Sequence, residues 1–521
     1  MGIDTEYRKQ YAQSSPESGF YGKPDDLKLL KQHVGTSSVR LVDLNILAYN
    51  VGAYTLPEPP ETRRKWTTTG SLEQILEWMV FALCEPIRSQ RSTVVVGIAD
   101  DQSRIFTLKR DEQKKRDAEK KLDADNEAYP EGTTLTSEGL QTPEDTRPQR
   151  NAISLKKVMG NRGLRISLWR LLAAQLKRRA PVLIPGHLER AMVILDMERD
   201  PHESVYLNCP AFAADGTCGQ VEHARLFGEA DLQLFTWVRR LRDWPIVIAS
   251  TDSDNWPIGL LYLHDTTHNL VLDHRKPLWW WMARSETCNW KVRAADLRQV
   301  YRMQPKLQRQ HLYTFLVGVL LTKTDFFDPD ALVHGIGRTS VLWGVNHCNT
   351  ECIELVEQAL KLPRFETVHV WESPEELPEK EQIVFTRVLT RFHFILRRIY
   401  SHHGKIDADQ KRRMTGKHRV DDEKRGSEVS PPIHQHPASW SLIRTLLGPL
   451  KNYRVPDGAE IVRCVWRMCR IIRYWTFSWS RLRTRGALVL RPWDHQRRQP
   501  LKLPSASPSL PTGSGSPSDR R

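Results

Sequence analysis

Residues 246–254 read IVIASTDSD: four apolar residues, then Ser250 and Thr251, then Asp252 and Asp254 two positions apart. Two other stretches share the form, VRLVD at 39–43 and VVVGIAD at 94–100. Short apolar runs without polar alternation suit strands buried on both faces of a parallel sheet. Between the first two lies GSLEQILEWMVFALCEPI at 70–87, in which Leu72, Ile75, Leu76, Met79, Val80 and Leu83 line one face of a helix. Strand, helix and strand in that order predict a parallel connection with a right-handed crossover and a helix-covered sheet.

The carboxyl ends of strands in such a sheet face a common crevice where ligands bind. Asp43, Asp100 and Asp252 end the three runs, so their carboxylates are expected to converge there. Asp254 follows Asp252 at i+2, which in extended backbone points to the same side. Glu229 and Asp231, in GEAD, fall at a predicted helix start (228–244), where the helix dipole favours negative charge. Asp325 lies in LLTKTDFFD after an apolar helix, and Asp101 doubles Asp100. Single aspartates at such places commonly cap helices or shape turns. An ordered set of seven acids points instead to cations held between them. Oxygen-only ligands suit Mg²⁺ or Mn²⁺, and two such ions about 3.5–4 Å apart can drive phosphodiester hydrolysis by water.

The acids stand against the bulk composition. The 521 residues carry 77 Lys and Arg against 62 Asp and Glu, a net charge of +15. A balance that basic favours a polyanionic partner. No run of 18 apolar residues predicts a membrane span, and MGIDTEYRKQYAQ lacks the apolar core of a secretory signal. Eight cysteines are too sparse for a disulfide scaffold. An intracellular protein is expected, in the nucleus rather than the cytoplasm.

Along the chain, 108–122 (LKRDEQKKRDAEKKL) predicts a solvated charged helix, and the polar stretch to about 150 a mobile segment. Helical character with a strongly basic face resumes over 154–179. The runs PVLIP and MVILD within 181–227 read as an insertion without an evident place. Helices are expected across 293–322, 338–362 and 380–400. A polar, basic linker is expected from His402 to Pro437, then an Arg- and Trp-rich helical region, then a disordered Ser/Pro/Gly tail over 505–521.

The ordered set resembles the flap endonuclease/XPG group of structure-specific 5′ nucleases, within the PIN-like superfamily. The pieces that carry the resemblance are Met1-Gly2-Ile3, LVDLN at Asp43, the strand ending IADD with its basic helix, GEADLQLF, IASTDSDNWPIGLL and FLVGVLLTKTDFFDPDALVHGIGRTSV. They cover roughly residues 1–120 and 225–345. The resemblance implies an α/β PIN-like core: a mostly parallel sheet covered by helices, a helical arch, a helix-turn-helix hairpin and an extra helical C-terminal region. It divides the chain into nuclease regions at 1–108 and 228–400, an arch-like helix with insertion at 109–227, the linker at 402–437, a C-terminal region at 438–504 and the tail. By the same carry-over Asp43, Asp100, Glu229, Asp231, Asp252, Asp254 and Asp325 are the metal-binding and catalytic acids for two Mg²⁺ ions, or Mn²⁺.

Lys109, Arg110, Lys114, Lys115 and Arg116 would contact nucleic acid from the arch, and Gly335, Gly337 and Arg338 from the hairpin, where backbone N–H groups at a helix start suit a phosphate. The plain alternatives are a solvated helix and an ordinary turn. The sequence departs from the family in having Asp100-Asp101 for its aspartate–glycine, which leaves either as the ligand, and in reading Glu229-Ala230-Asp231 for Glu-x-Glu. The spacer from Lys109 to Glu229 is also longer than is usual there, and no sliding-clamp peptide is recognisable. DNA of the flap or 5′-end type is the favoured substrate; RNA is the alternative, as is an inactive nucleic-acid-binding scaffold. Neither Cys209, Cys218 and His223 nor His347, Cys348 and Cys352 matches a paired zinc pattern. Trp279-Trp280-Trp281 and RCVWRMCRIIRYWTFSWSRLR (463–483) offer rings and guanidiniums for nucleic acid, or apolar faces that pack on the core.

Overall fold

In the computed structural model the described residues are 18–22, 38–49, 69–89, 92–99, 129–151, 153–184, 192–196, 205–207, 230–242, 244–250, 252–268, 276–281, 294–308, 311–322, 324, 327, 329–333, 336–362, 374, 377–414 and 458–480. The first half builds β1 (Phe20–Tyr21), β2 (Ser38–Asp43), α1 (Leu44–Tyr49), β3 (Thr69–Gly70), α2 (Leu72–Arg88) and β4 (Ser92–Ile98). A short hairpin, β5 (Thr134–Thr136) with β6 (Gly139–Gln141), precedes β7 (Ile153–Ser154), α3 (Leu155–Gly160) and α4 (Arg162–Leu183). Then come β8 (Met192–Asp196), β9 (Val205–Leu207), α5 (Ala230–Arg240), β10 (Ile246–Ala249), α6 (Asn255–His268), β11 (Leu278–Trp281) and β12 (Ala294–Asp296). Helices complete the order: α7 (Leu297–Gln308), α8 (Leu312–Thr322), α9 (Asp330–Val333), α10 (Arg338–Asn346), α11 (Asn349–Ala359), α12 (Glu379–Met414) and α13 (Gly458–Ser480).

The main sheet runs β1-β12-β11-β10-β2-β4-β8-β9, and the central strands β11, β10, β2, β4 and β8 are mutually parallel. The protein is therefore a mixed α/β fold on a mostly parallel sheet. The apolar runs without alternation have their explanation in burial on both faces. Val39, Leu41, Val94, Val96, Ile98, Ile246 and Ile248 enter one apolar cluster, while Val42, Val95, Val193 and Ala249 enter another. Helix α2 covers the second face with the six residues read from its spacing. It starts at a capping box, in which the Ser71 hydroxyl accepts from the Gln74 N–H and the Gln74 amide oxygen accepts from the Ser71 N–H, each at 3.2 Å.

Three readings of the sequence are revised here. MVILD is no unplaced insertion; it forms β8 and pairs in parallel with β4, Ile98 opposite Asp196. The polar stretch before residue 150 is, over 129–150, a hairpin that tucks Leu135 and Leu140 into the core. Gly139 makes the turn possible with φ +134°, a left-handed backbone where a Cβ would strike the Gln149 backbone. The linker expected from His402 begins inside α12, which runs on to Met414. The helices expected across 293–322 are α7 and α8.

The Arg- and Trp-rich C-terminal segment packs. Ile461, Val465, Trp466, Met468, Cys469, Ile471, Ile472 and Trp475 of α13 are buried in the same cluster as α5, α6, α11 and α12. Burying each such side chain stabilises by about 1.5–3 kcal/mol, and eight of them together rival the whole net stability of a domain, about 5–15 kcal/mol. Deleting residues from 457 onward is therefore expected to give an insoluble or molten product, read by loss of the near-UV circular dichroism and of a cooperative melt. Helices α10 and α12 meet at Gly344, where an added Cβ would lie 2.8 Å from the Ile399 backbone. Gly344→Ala should cost about 1–3 kcal/mol by overpacking, measured as a lower denaturant midpoint at unchanged slope.

Candidate functional site: the carboxylate edge

Strand β2 ends at Asp43, and β10 pairs with it so that Ala249 lies opposite Val42. The residues after Ala249 thus emerge beside Asp43, at the carboxyl edge of the sheet. There Asp252 and Asp254 form the turn into α6, and Asp231 sits in the first turn of α5. All four are withdrawn from water: Asp43 is 4% exposed, Asp231 2%, Asp252 8% and Asp254 0%. Among the described residues these are the carboxylates buried to that degree, and every one was singled out from the sequence. The four carboxylates concentrate negative charge at one edge of a chain that is +15 overall.

Hydrogen bonds hold the arrangement. Asn255 is fully buried, and its Nδ2 donates to Asp231 Oδ1 at 3.4 Å, Ser250 Oγ at 3.0 Å and the Asp252 carbonyl at 3.1 Å. One amide therefore ties α5 to the turn between β10 and α6. Ser250 Oγ also accepts from the Asp252 N–H at 3.1 Å, and the Ser250 carbonyl accepts from Trp280 Nε1 at 2.9 Å. Trp280 is fully buried beneath the edge, so the middle ring of the tryptophan triplet supports the site from the core and does not stack on a ligand. Trp256, two residues beyond Asp254, is wedged between Phe20 and Phe315 with ring centroids 5.2 and 5.1 Å away, which anchors α6 where it leaves the turn.

The ordinary uses of aspartate are present as well. Asp43 Oδ1 accepts from the N–H groups of Asn45 at 2.9 Å and Ile46 at 3.3 Å, capping α1. Asp252 Oδ1 accepts from the Asp254 N–H at 3.1 Å, which shapes the turn. Asp100, Glu229 and Asp325 lie outside the described residues, as do Lys109, Arg110, Lys114, Lys115, Arg116 and Gly335. Among the described residues no group of three or more His, Cys, Asp or Glu side chains is set to hold a metal ion. The donor set at the edge is all oxygen, the chemistry of Mg²⁺ or Mn²⁺.

Gly337 is the N-cap of α10 and Arg338 stands exposed in its first turn. Both belong to a helix packed on α8 and α12, apart from the network around Asn255. Among the described residues, a Cβ at Gly337 would meet nothing within 4 Å. Cys348 and Cys352 are buried; burial pushes the Cys348 thiol up to about 11 and that of Cys352 well above its ordinary value, which keeps both protonated. Two features escaped the sequence. Asp196 ends β8 on the same edge, and its signal was present, because MVILD repeats the apolar run ending on aspartate. Asn255 had no signal, since only the fold brings it under Asp231. No model of a known protein family matches the chain, and no curated protein matches it. None of the described helices is long and apolar enough to cross a membrane.

Removing the Asn255 amide should loosen the edge. Asn255→Ala is expected to cost about 1–3 kcal/mol, because the three buried acceptors of its Nδ2 lose that donor. Asn255→Asp should be more costly at neutral pH, where like charges would face each other, and less costly in mild acid, where the introduced carboxyl is protonated and can donate to Asp231. Chemical denaturation of the three proteins at both pH values reads this out.

Proposed function

We propose that the protein is a divalent-metal-dependent nuclease of the flap endonuclease/XPG type on a PIN-like core, hydrolysing phosphodiester bonds in DNA. The observation that carries this reading is the burial of Asp43, Asp231, Asp252 and Asp254 together at the carboxyl edge of a parallel sheet. Charges held out of water in this way are costly unless cations or hydrogen bonds offset them, and oxygen-only donors select a hard divalent ion. Such an ion, when bound, would polarise the phosphate and lower the pKa of a bound water.

The chain's own residues have distinct tasks in this reading. Asp252 and Asp254 present carboxylates from a turn stiffened by Ser250 and Trp280. Asp231 is held from α5 by Asn255. Asp43 arrives from the neighbouring strand, its orientation set by the first N–H groups of α1. The first described turn of α10, with Gly337 and the exposed Arg338, offers N–H groups and positive charge to a phosphate of the duplex. Water is the nucleophile, so no covalent enzyme intermediate is required.

Asp252→Asn keeps the shape of the side chain and an oxygen for the Asp254 N–H but removes one charge. It is expected to abolish Mg²⁺-dependent cleavage of a 5′-flap DNA, a loss of at least about a hundredfold for removed charge stabilisation. Binding measured in EDTA should stay close to wild type. Cleavage at the wild-type rate by a normally melting Asp252→Asn protein, or wild-type cleavage undiminished by EDTA, would refute the assignment.

A further inference from the structure

Asn255 is the first residue of α6 and is fully buried. Its Nδ2 faces three acceptors: Asp231 Oδ1 at 3.4 Å, Ser250 Oγ at 3.0 Å and the Asp252 carbonyl at 3.1 Å. A primary amide carries two hydrogens on that nitrogen, so acceptors outnumber donors around it. The other end of the same amide has no donor at all. Among the described residues no group donates to Asn255 Oδ1, which is itself shut off from water. Asn45 Oδ1, in the first turn of α1 just past Asp43, is likewise buried without a donor.

Turning the amide over does not relieve this. Exchanging its two ends would set Oδ1 against the Asp231 carboxylate and the Asp252 carbonyl, which accept hydrogen bonds and, with Asp231 ionised, have no hydrogen to give. The neighbours therefore fix Nδ2 toward the acids and leave Oδ1 as an acceptor in a dry site. A buried polar atom left in that state calls for a partner, and an ion is one kind. By the bond lengths of an amide, Oδ1 lies about 2.2 Å from Nδ2, which keeps it within about 5.6 Å of Asp231 Oδ1. Two oxygens on opposite sides of one Mg²⁺ are about 4.2 Å apart, a distance inside that limit. Mg²⁺ binds through one or two carboxylates and fills the rest of a near-octahedral shell with neutral oxygens. An amide oxygen is such a donor, and it adds no charge to an edge that already holds four acids. A water or an N–H would satisfy Oδ1 alone, whereas a cation answers the amide oxygen and the carboxylates together.

We propose that Asn255 is a metal ligand as well as a brace: its Nδ2 holds Asp231 to the turn, and its Oδ1 is a neutral oxygen ligand of the divalent ion bound beside Asp231 and Asp252. This rests on the metal-dependent nuclease reading for the presence of the ion, and it adds to the acids a residue of a different type. One amide then fixes the ion relative to α5 and α6 at once, because the group that bonds Asp231 also binds the metal. The selectivity that follows is for a hard cation, since carbonyl and carboxylate oxygens suit Mg²⁺ and Mn²⁺ and not soft ions.

The test uses the full-length protein, freed of metal and titrated with Mn²⁺ alone, the unbound ion being measured by electron paramagnetic resonance. Two variants are compared with wild type. Asn255→Leu keeps the shape and removes both amide ends; Asn255→Asp removes the Nδ2 donor but keeps an oxygen where the ligand stands. Asn255→Leu is expected to bind Mn²⁺ about tenfold or more weakly, and Asn255→Asp at least as tightly as wild type. A residue that only braced the acids would weaken binding in both, since both lack Nδ2. A second measurement reads the bond itself. Protein labelled with ¹³C at its asparagine side-chain carbonyls and loaded with Mn²⁺ should show electron–nuclear coupling to a ligand carbon in wild type, and none in Asn255→Asp. Should Asn255→Leu fail to fold, the coupling in wild type and its loss in Asn255→Asp carry the test. Mn²⁺ bound by wild type without that coupling, or bound equally well by a folded Asn255→Leu protein, overturns this proposal and leaves the nuclease reading standing. Coupling that persists in Asn255→Asp belongs to another asparagine and overturns it too. Absence of Mn²⁺ binding by wild type refutes the metal-dependent reading, and this proposal with it.

Discussion

A carboxylate taken out of water carries a penalty of several kcal/mol unless something nearby favours its charge, and this fold gathers four of them at one edge. Asp43, Asp231, Asp252 and Asp254 come from a strand end, a helix start and a turn, so holding them together demands that those elements cannot drift. The devices that prevent drift are themselves buried: Asn255 bridging α5 to the turn, Ser250 under it, and Trp280 bonded to the Ser250 carbonyl. Each makes its hydrogen bond in a dry environment, where such a bond is strong and its loss is felt in full. The apolar sheet beneath, closed on both faces, is what makes that environment dry.

The rest of the molecule backs this edge. Helix α8 is buried on every side and passes behind α6, whose Trp256 is seated between Phe20 and Phe315. Helix α13, arriving from the far end of the chain, lies over α5 and α6 and merges with the same cluster. The elements that carry the acids are thus clamped by residues more than two hundred positions away. The Arg- and Trp-rich C-terminal region, which offered rings and guanidiniums for nucleic acid or apolar faces for the core, packs on the core.

The acids were legible because their signal is local. A run such as IVIASTDSD states its own burial and its own end; Asp43, Asp252 and Asp254 were picked on that basis and Asp231 at a predicted helix start, and these four are the buried acids among the described residues. The same logic was available for MVILD and was not decisive, since a run of that kind can be a strand in the sheet or a piece of an insertion until its register beside β4 is known. The hairpin over 129–150 was read as mobile because its polarity outweighs two leucines; Leu135 and Leu140 matter only once α4 supplies a surface to receive them. The helix through His402 was read as linker from its polar composition. Its turns out to Met414 continue a helix started by the apolar face of Phe385, Val388, Phe392, Ile395 and Ile399.

By itself, then, the sequence determined what short-range periodicity and composition can carry: two-face burial of the strands, the helical face of α2, the placing of acids at strand ends and the excess of positive charge. Only the tertiary structure decided which of those signals meet. Asn255 lies beneath Asp231 because β10 inserts between β2 and β11, and α13 is core because α5 and α6 leave an apolar face for it. Helix α3 lies beside the start of α2 because β7 pairs with β3. Pairings between residues distant along the chain depend on the summed packing of many side chains, and no local pattern encodes such a sum.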